Sequence, residues 1–308
     1  MNLAPILLFV YNRPIHTKRT IKSLKQNQLS KKSNLYIFSD GPKNEKDIVK
    51  VKEVRKIIKN TDGFKSINIK SLKKNKGLAK SIISGVSKII KKKKKVIVLE
   101  DDLLLSKKFL KYMNEALDFY KLEKKIWSIS GYTPDLKVLK DLKEEVFFYP
   151  RASSWGWATW SDRWDEVDWN LDNYEIFNNS KEVLEFGRIG YDMPVMLEMQ
   201  KRDLVDSWAI RWCYNQFKRK KLTIYPYKTL VKNIGVDNSG THGLFKKNDR
   251  RILEEVNINF TDNIQTKDEI NKCYRSNQSS LLINIIKYLL IKMRIYKIIK
   301  NILSKLIK

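Results

Sequence analysis

The chain has 308 residues, 42% of them hydrophobic, and only 11 glycines and 7 prolines; it can bury a sizeable core as one large domain or two small ones, and neither a collagenous nor a broadly disordered chain fits. Lys and Arg number 62 against 34 Asp and Glu, a formal net charge of +28, which attracts polyanions without choosing between nucleic acid, an anionic membrane and phosphate-bearing substrates. Cys213 and Cys273 are the only cysteines; they support neither a disulfide framework nor a Cys-based zinc site, and they fit a reducing compartment.

Met1 to Tyr11 is apolar but has no basic leader and no small-residue cleavage site, so it reads as a first buried strand, over Pro5 to Tyr11, and not as a signal peptide. Asn12-Arg13-Pro14 is a loop, and a helix follows from about His16 to Gln26. Asn34 to Ser39 reads as a strand that ends at Asp40-Gly41-Pro42. Helical spacing of Val49, Val54, Ile57 and Ile58 marks Lys46 to Lys59. A short strand over Ser66 to Ser71 and a helix over Leu78 to Ile90 come next, then the run Lys91 to Lys95. Val96 to Leu99 is β-rich and meets Glu100-Asp101-Asp102. Strands alternating with helices imply an α/β fold, a mostly parallel sheet with helices on both faces. Such sheets bind ligands at the carboxyl ends of their strands, where the polar motifs of this chain fall.

Beyond Asp102, Phe109 to Tyr120 reads as a helix and Trp127 to Ser130 as a strand. Trp155 to Trp169 is dense in tryptophan. Lys181 to Arg202 is helical in part, Asp206 to Lys218 more clearly so, and Gly235 to Gly243 is a loop. Residues 246–280 are polar and carry little signal. Leu281 to Lys308 is apolar and basic without a breaker. On a helix at about 100° per residue, Lys287, Arg294, Lys297, Lys305 and Lys308 share one sector, with Lys292 and Lys300 outside it. That is an imperfect basic amphipathic helix, suited to an anionic bilayer interface or to packing on the domain or another subunit. No stretch is long and apolar enough for a spanning helix.

Three adjacent carboxylates at a strand end repel one another and need a positive partner. A divalent ion bridging a pyrophosphate would serve, since magnesium and manganese bind one or two carboxylates plus substrate phosphates. The plainer alternative is an acidic strand end that starts the next helix. Asp40 can accept the imide N–H of uracil or hold a turn before Gly-Pro. Arg13 can bind phosphate bidentately or pack on a base; otherwise it is a solvated arginine. Trp155, Trp157 and Trp160 offer aromatic faces to sugar rings, although packing claims most buried aromatics. His242, in Gly240-Thr241-His242-Gly243, can touch a diphosphate or metal or be an ordinary loop histidine. His16 receives no role.

FVYNRP, SDGP, NKGLAKSI and VLEDDLLLSKKFLKYMNEAL, continued by IWSISGYT, SWGWATW, DSWAIRW and GVDNSGTHG, resemble the GT-A fold glycosyltransferases that use nucleotide sugars. The likeness is to the N-acetylglucosaminyltransferase I type and its bacterial relatives, over about Ala4 to Phe245. The resemblance implies a GT-A domain over residues 1–265, with a donor half of about 1–130 and an acceptor half of about 131–265. A linker at 266–280 and a basic helix at 281–308 would follow. It implies that Arg13 and Asp40 hold the uridine end and that Lys80 lies near the donor. Glu100, Asp101 and Asp102 match the acidic motif, Asp102 as metal ligand and Asp101 at the ribose or sugar. The implied metal is manganese (or magnesium), and the anomeric centre is inverted. The implied base is Asp206 in Val205-Asp206-Ser207-Trp208, where family members carry two adjacent aspartates before the tryptophan; Asp165 and Glu198 stand next in line.

The expectation is therefore a UDP-sugar-dependent transferase acting on a surface-polysaccharide or lipid-linked acceptor. It would sit in the cytoplasm, peripherally on the inner face of a membrane, and bind no nucleic acid. A nucleic-acid-binding protein would use the charge but leaves Glu100-Asp101-Asp102 unexplained. A GT-A-like glycan binder without activity and a nucleotidyltransferase are the other rivals.

Overall fold

A computed structural model describes residues 2–141, 143–235, 251, 253–278 and 280–296. Its centre is an eight-stranded sheet in the order β3-β2-β1-β4-β8-β6-β9-β7. β1 (Ile6–Val10), β2 (Asn34–Ser39), β3 (Ser66–Ser71) and β4 (Lys95–Glu100) run parallel. β5 (Leu103–Leu105) lies outside this sheet and pairs antiparallel with β10 (Val231–Asn233). β6 (Ile126–Ser130) and β9 (Leu222–Pro226) keep the direction of β4, whereas β7 (Val146–Tyr149) and β8 (Trp157–Trp160) oppose it. The expected α/β class with a mostly parallel sheet is what the chain adopts.

Alternation along the strands splits the core in two. Ile6, Leu8 and Val10 of β1 join Ile97 and Leu99 of β4 on one face. There α1 (Pro14–Lys25), α2 (Glu45–Lys59) and α4 (Phe109–Phe119) contribute Ile21, Leu24, Val54, Ile58, Phe109 and Leu117. Leu7, Phe9, Val96 and Val98 face the other way. They meet α3 (Leu78–Lys93), α8 (Met193–Lys201) and α9 (Trp208–Lys218), with Ile82, Val86, Leu197, Trp208 and Trp212. Short helix α5 (Ser161–Trp164) lies in the tryptophan-rich region, and α6 (Tyr174–Asn178) and α7 (Glu182–Arg188) follow it. Proline at the first turn of α1 suits a position whose N–H would lack a partner anyway. Lys91, Lys92 and Lys93 occupy the last turn of α3, where the helix dipole favours cations, and Lys94 closes it in the left-handed region at φ 67°.

Two expectations change. Residues 266–280 are not a bare linker: α10 (Asp268–Gln278) buries Ile270 and Tyr274 against Leu136, Phe147, Tyr149 and Tyr225. The terminal helix is also shorter and faces differently. α11 (Leu281–Lys292) stops where Arg294 takes φ 61°, and residues 297–308 lie outside the described ones. Its inward side presents Asn284 and Ile291, with the Tyr288 hydroxyl donating to Asn178 Oδ1 at 2.7 Å. Leu282 and Met293 are both 65% exposed, and Ile283, Ile285, Ile286 and Leu289 are about half exposed. Most of the apolar side chains of α11 thus point away from the body, Ile291 being buried.

Candidate active site

β1, β2 and β4 end together, and the polar motifs gather at that edge. β1 lies between β2 and β4, so the loop after β1 reaches both neighbours. Arg13, next in the chain to α1, uses this position. Its Nη1 donates to Oδ2 of Asp102 at 3.0 Å and its Nη2 to Oδ1 of Asp101 at 2.5 Å. Asp101 is 3% exposed and Asp102 8%. The N–H of Tyr11 donates to Oδ2 of Asp101 at 3.2 Å, so both oxygens of that carboxylate are engaged. The Thr20 hydroxyl donates to the Asp101 carbonyl at 2.8 Å and accepts from the Leu103 N–H at 3.1 Å. Asp102 differs, since among the described residues only its Oδ2 accepts a side-chain hydrogen bond.

The electrostatics follow from crowding. Burial raises the Asp101 carboxyl pKa, and Asp102 adds to this while Arg13 opposes it. Burial, then Asp102 and Asp101, push Glu100 up to about 8. Burial alone would lower the Arg13 guanidinium, but the two carboxylates outweigh it and the pKa rises. The positive charge that the acidic triplet requires is thus supplied from within the chain.

Asp40 forms a second corner. Its Oδ1 accepts from the N–H of Gly41 at 2.8 Å and of Lys76 at 2.9 Å, and its Oδ2 from the N–H of Gly77 at 3.0 Å. Gly77, at φ 81°, caps α3 in a conformation that side chains rarely adopt. Asp40 therefore binds the start of α3 to the end of β2, a turn-holding role that leaves little of its carboxylate for a base. Lys80, exposed on the first turn of α3, lies along the same edge. Beside it the Tyr11 hydroxyl donates to Asp47 at 2.8 Å and Asn12 Nδ2 to the same carboxylate at 2.7 Å. Burial and the Asp47 bond push Tyr11 up to about 12, and the Tyr11 and Asn12 bonds hold Asp47 below the usual range.

The β5–β10 ladder brings residues 233–235 over the acidic pair. Ile234 N–H donates to the Asp102 carbonyl at 2.8 Å, and His16 Nε2 lies 3.2 Å from the Ile234 carbonyl. A Cβ on Gly235 would stand 2.2 Å from Oδ2 of Asp102 and 2.8 Å from Nη1 of Arg13, so any larger residue there would push the Asp102–Arg13 pair aside. His242 lies outside the described residues. His16 and Thr20 were missed as contributors. The signal for them is spacing: Arg13, His16 and Thr20 recur at helical intervals and share one side of the α1 start.

On the far side of β4, Gly131 N–H donates to the Gly156 carbonyl at 2.7 Å, fixing residues 153–156 at the same edge. Trp155 is half-buried, its ring edge-on to Tyr132 at 4.4 Å. Trp157 is a correction. It is 1% exposed and stacks on Trp164 and Trp208, because its strand position faces the second core. Asp206 is 53% exposed and paired with Arg211 at 2.8 Å, just before the Ser207 cap of α9. The C-terminal end of α9 leads within a few residues to the start of β9, at the amino edge of the sheet. The roughly 16 Å helix thus carries Asp206 toward the carboxyl edge. The alternatives do not compete. Glu198 is buried and held by Tyr174 and Arg202. Asp165 closes α5, which starts opposite the beginning of β4.

As for a metal, hard carboxylate oxygens suit magnesium or manganese, and Asp102 retains an oxygen without a hydrogen bond among the described residues. No cluster of three ligating side chains occurs there. An ion at Asp102 would complete its shell from diphosphate and water, which fits.

No family model and no curated protein sequence matches the chain. Among solved structures it is similar to S. aureus TarS, at 15% identity over 38% of this chain and 20% of that one, TM-score 0.30. A mannosyltransferase from Pyrobaculum calidifontis, in complex with GDP-Man and Mn2+, matches at 10% identity over 52% and 48%, TM-score 0.37. The galactosyltransferase LgtC, in complex with donor and acceptor sugar analogues, matches at 13% over 71% and 72%, TM-score 0.37. The chain spans less than half the length of the first two. At such identities and scores, neither activity nor ligand passes from those proteins to this chain.

Proposed function

We propose that the chain is a metal-dependent, inverting glycosyltransferase of the GT-A type. It moves a sugar from a nucleotide diphosphate, UDP in the first instance, to a hydroxyl of a surface-polysaccharide or lipid-linked glycan. One observation carries the reading. A buried carboxylate pair, Asp101 and Asp102, sits at the carboxyl end of the central strands, tied to a single guanidinium and roofed by backbone at Gly235. That is a site for concentrated, exchangeable charge where α/β sheets bind their ligands.

Asp102 would hold manganese or magnesium, which when bound offsets negative charge growing on the departing diphosphate. Arg13 binds phosphate with its planar fork. Asp101, with both oxygens engaged, keeps Arg13 and the Tyr11 backbone in register. Asp40, Lys80 and the loop it holds border the nucleotide, and Glu100 lines the strand end beneath it. Trp155 offers a ring edge at the acceptor side. Asp206 takes the proton of the attacking hydroxyl, its carboxylate oriented by the ion pair with Arg211. His242, outside the described residues, would serve the diphosphate or the metal once the donor binds.

The exposed apolar side of α11, together with the absence of any acidic residue after Glu269, supports peripheral binding to an anionic membrane on its cytoplasmic face. Among the described residues no helix is long and apolar enough to cross a membrane.

A panel of nucleotide sugars, each with and without manganese, tests the reading by thermal stabilisation, since a ligand of the folded state raises its stability. Stabilisation by one or more nucleotide sugars only with manganese supports it. Stabilisation by a nucleoside triphosphate with pyrophosphate release would point to a nucleotidyltransferase instead.

A further inference from the structure

Arg13 stands where a second cation has to go. Its Nη1 reaches Oδ2 of Asp102 at 3.0 Å, and its Nη2 reaches Oδ1 of Asp101 at 2.5 Å. The other Asp101 oxygen is taken by the Tyr11 N–H, so Asp101 cannot turn to a new partner without losing a backbone bond. Asp102 can turn. Above it the cover is tight: a Cβ on Gly235 would meet Oδ2 of Asp102 at 2.2 Å and Nη1 of Arg13 at 2.8 Å. The guanidinium and the Gly235 backbone therefore close the same carboxylate oxygen. A divalent ion on the other oxygen of Asp102 would share that carboxylate with the Arg13 guanidinium, and two cations in contact with one carboxylate repel strongly in a buried setting.

We infer that Arg13 and the divalent ion alternate at Asp102. The guanidinium is the resident counter-ion of the Asp101–Asp102 pair when no ion is bound, and it turns to the donor's diphosphate as the ion takes Asp102. This rests on the metal–diphosphate reading of the site and adds a role to Arg13. The residue suits both positions, because its planar fork matches two carboxylate oxygens or two phosphate oxygens equally well. Two consequences follow. The ion alone binds weakly, because it competes with the guanidinium that bridges Asp101 and Asp102. The nucleotide diphosphate strengthens ion binding by giving the arginine another anion, and by linkage the ion strengthens nucleotide binding by the same factor.

The test titrates manganese into wild type, Arg13→Gln and Arg13→Lys, with and without UDP, reading free manganese by electron paramagnetic resonance. Arg13→Gln should bind manganese alone at least tenfold more tightly than wild type, and UDP should no longer enhance that binding. Arg13→Lys, a single point charge that meets one carboxylate at a time, should tighten it severalfold. If the glutamine variant lacks native circular dichroism, the lysine variant decides. Manganese affinity that is unchanged or weaker in the folded variants overturns the inference. A wild type that binds manganese only with UDP, beside variants that do the same, also overturns it while leaving the site reading standing. Failure of all three proteins to bind manganese even with saturating UDP refutes the metal site itself, and the alternation with it.

Discussion

Asp101 and Thr20 are joined through the backbone: the Thr20 hydroxyl donates to the Asp101 carbonyl at 2.8 Å and accepts from Leu103 N–H at 3.1 Å. One side chain of α1 thereby spans the turn between β4 and β5, where the acidic pair sits. Thr20 is fully buried. Thr20→Val keeps the shape and strands a buried carbonyl and a buried N–H. We expect a loss of about 1–3 kcal/mol, measured by urea unfolding, with weaker nucleotide binding as the turn loosens. A loss too small to resolve would mean that the turn holds without Thr20.

Asp206→Asn keeps the side-chain shape but cannot take a proton. Donor binding should persist while turnover falls by roughly 10²–10⁴-fold, the usual contribution of a general base. Calorimetry and single-turnover transfer measure the two separately. Near-normal transfer would remove Asp206 from the chemistry.

Cys213 and Cys273 should react very differently. Burial pushes the Cys213 thiol up to about 11, and its Sγ donates to the Ala152 carbonyl at 3.5 Å. Its thiolate fraction at pH 8 is then about a hundredfold lower than that of a thiol at the reference value of 9.0. Cys273 is only half-buried. N-ethylmaleimide followed by mass spectrometry should label Cys273 in the native protein and Cys213 only after unfolding. Equal labelling rates would contradict the packing around α9.

The outward face of α11 should carry membrane binding. Leu282→Asp with Leu289→Asp places charge at two exposed positions and leaves Asn284, Tyr288 and Ile291 in contact. Co-sedimentation with anionic vesicles should fall severalfold, while transfer to a soluble acceptor is unchanged. For wild type, high salt should weaken binding without abolishing it, because each basic residue adds about 1 kcal/mol of screened attraction and the apolar part is unscreened. Undiminished sedimentation would place the contact elsewhere.

Local patterns were legible where period and burial agree. Asn34 to Ser39 alternates between buried and half-buried positions as a strand should, and α3 has its apolar residues on one side. Glu100-Asp101-Asp102 announced itself by charge at a strand end. What answers that charge did not: Arg13 is far away in sequence, and only the adjacency of β1 and β4 brings it near. Asp40 read equally as a base ligand or a turn residue until the N–H groups of Lys76 and Gly77 were seen on it. α10 was hidden because two buried residues, Ile270 and Tyr274, suffice to seat it. α11 misleads for the opposite reason, since most of its apolar residues turn outward and its contacts include Asn284 and Tyr288.

The central claim is that Asp102 makes nucleotide binding depend on a divalent ion. Calorimetry of UDP binding, with and without manganese, for wild type and Asp102→Ala, tests it most directly. Removing one carboxylate from a crowded pair leaves Arg13 to Asp101, so the variant should stay folded by circular dichroism. Wild type should bind UDP much more tightly with manganese, and Asp102→Ala should lose that difference. A folded Asp102→Ala protein that keeps the full manganese enhancement would contradict the account.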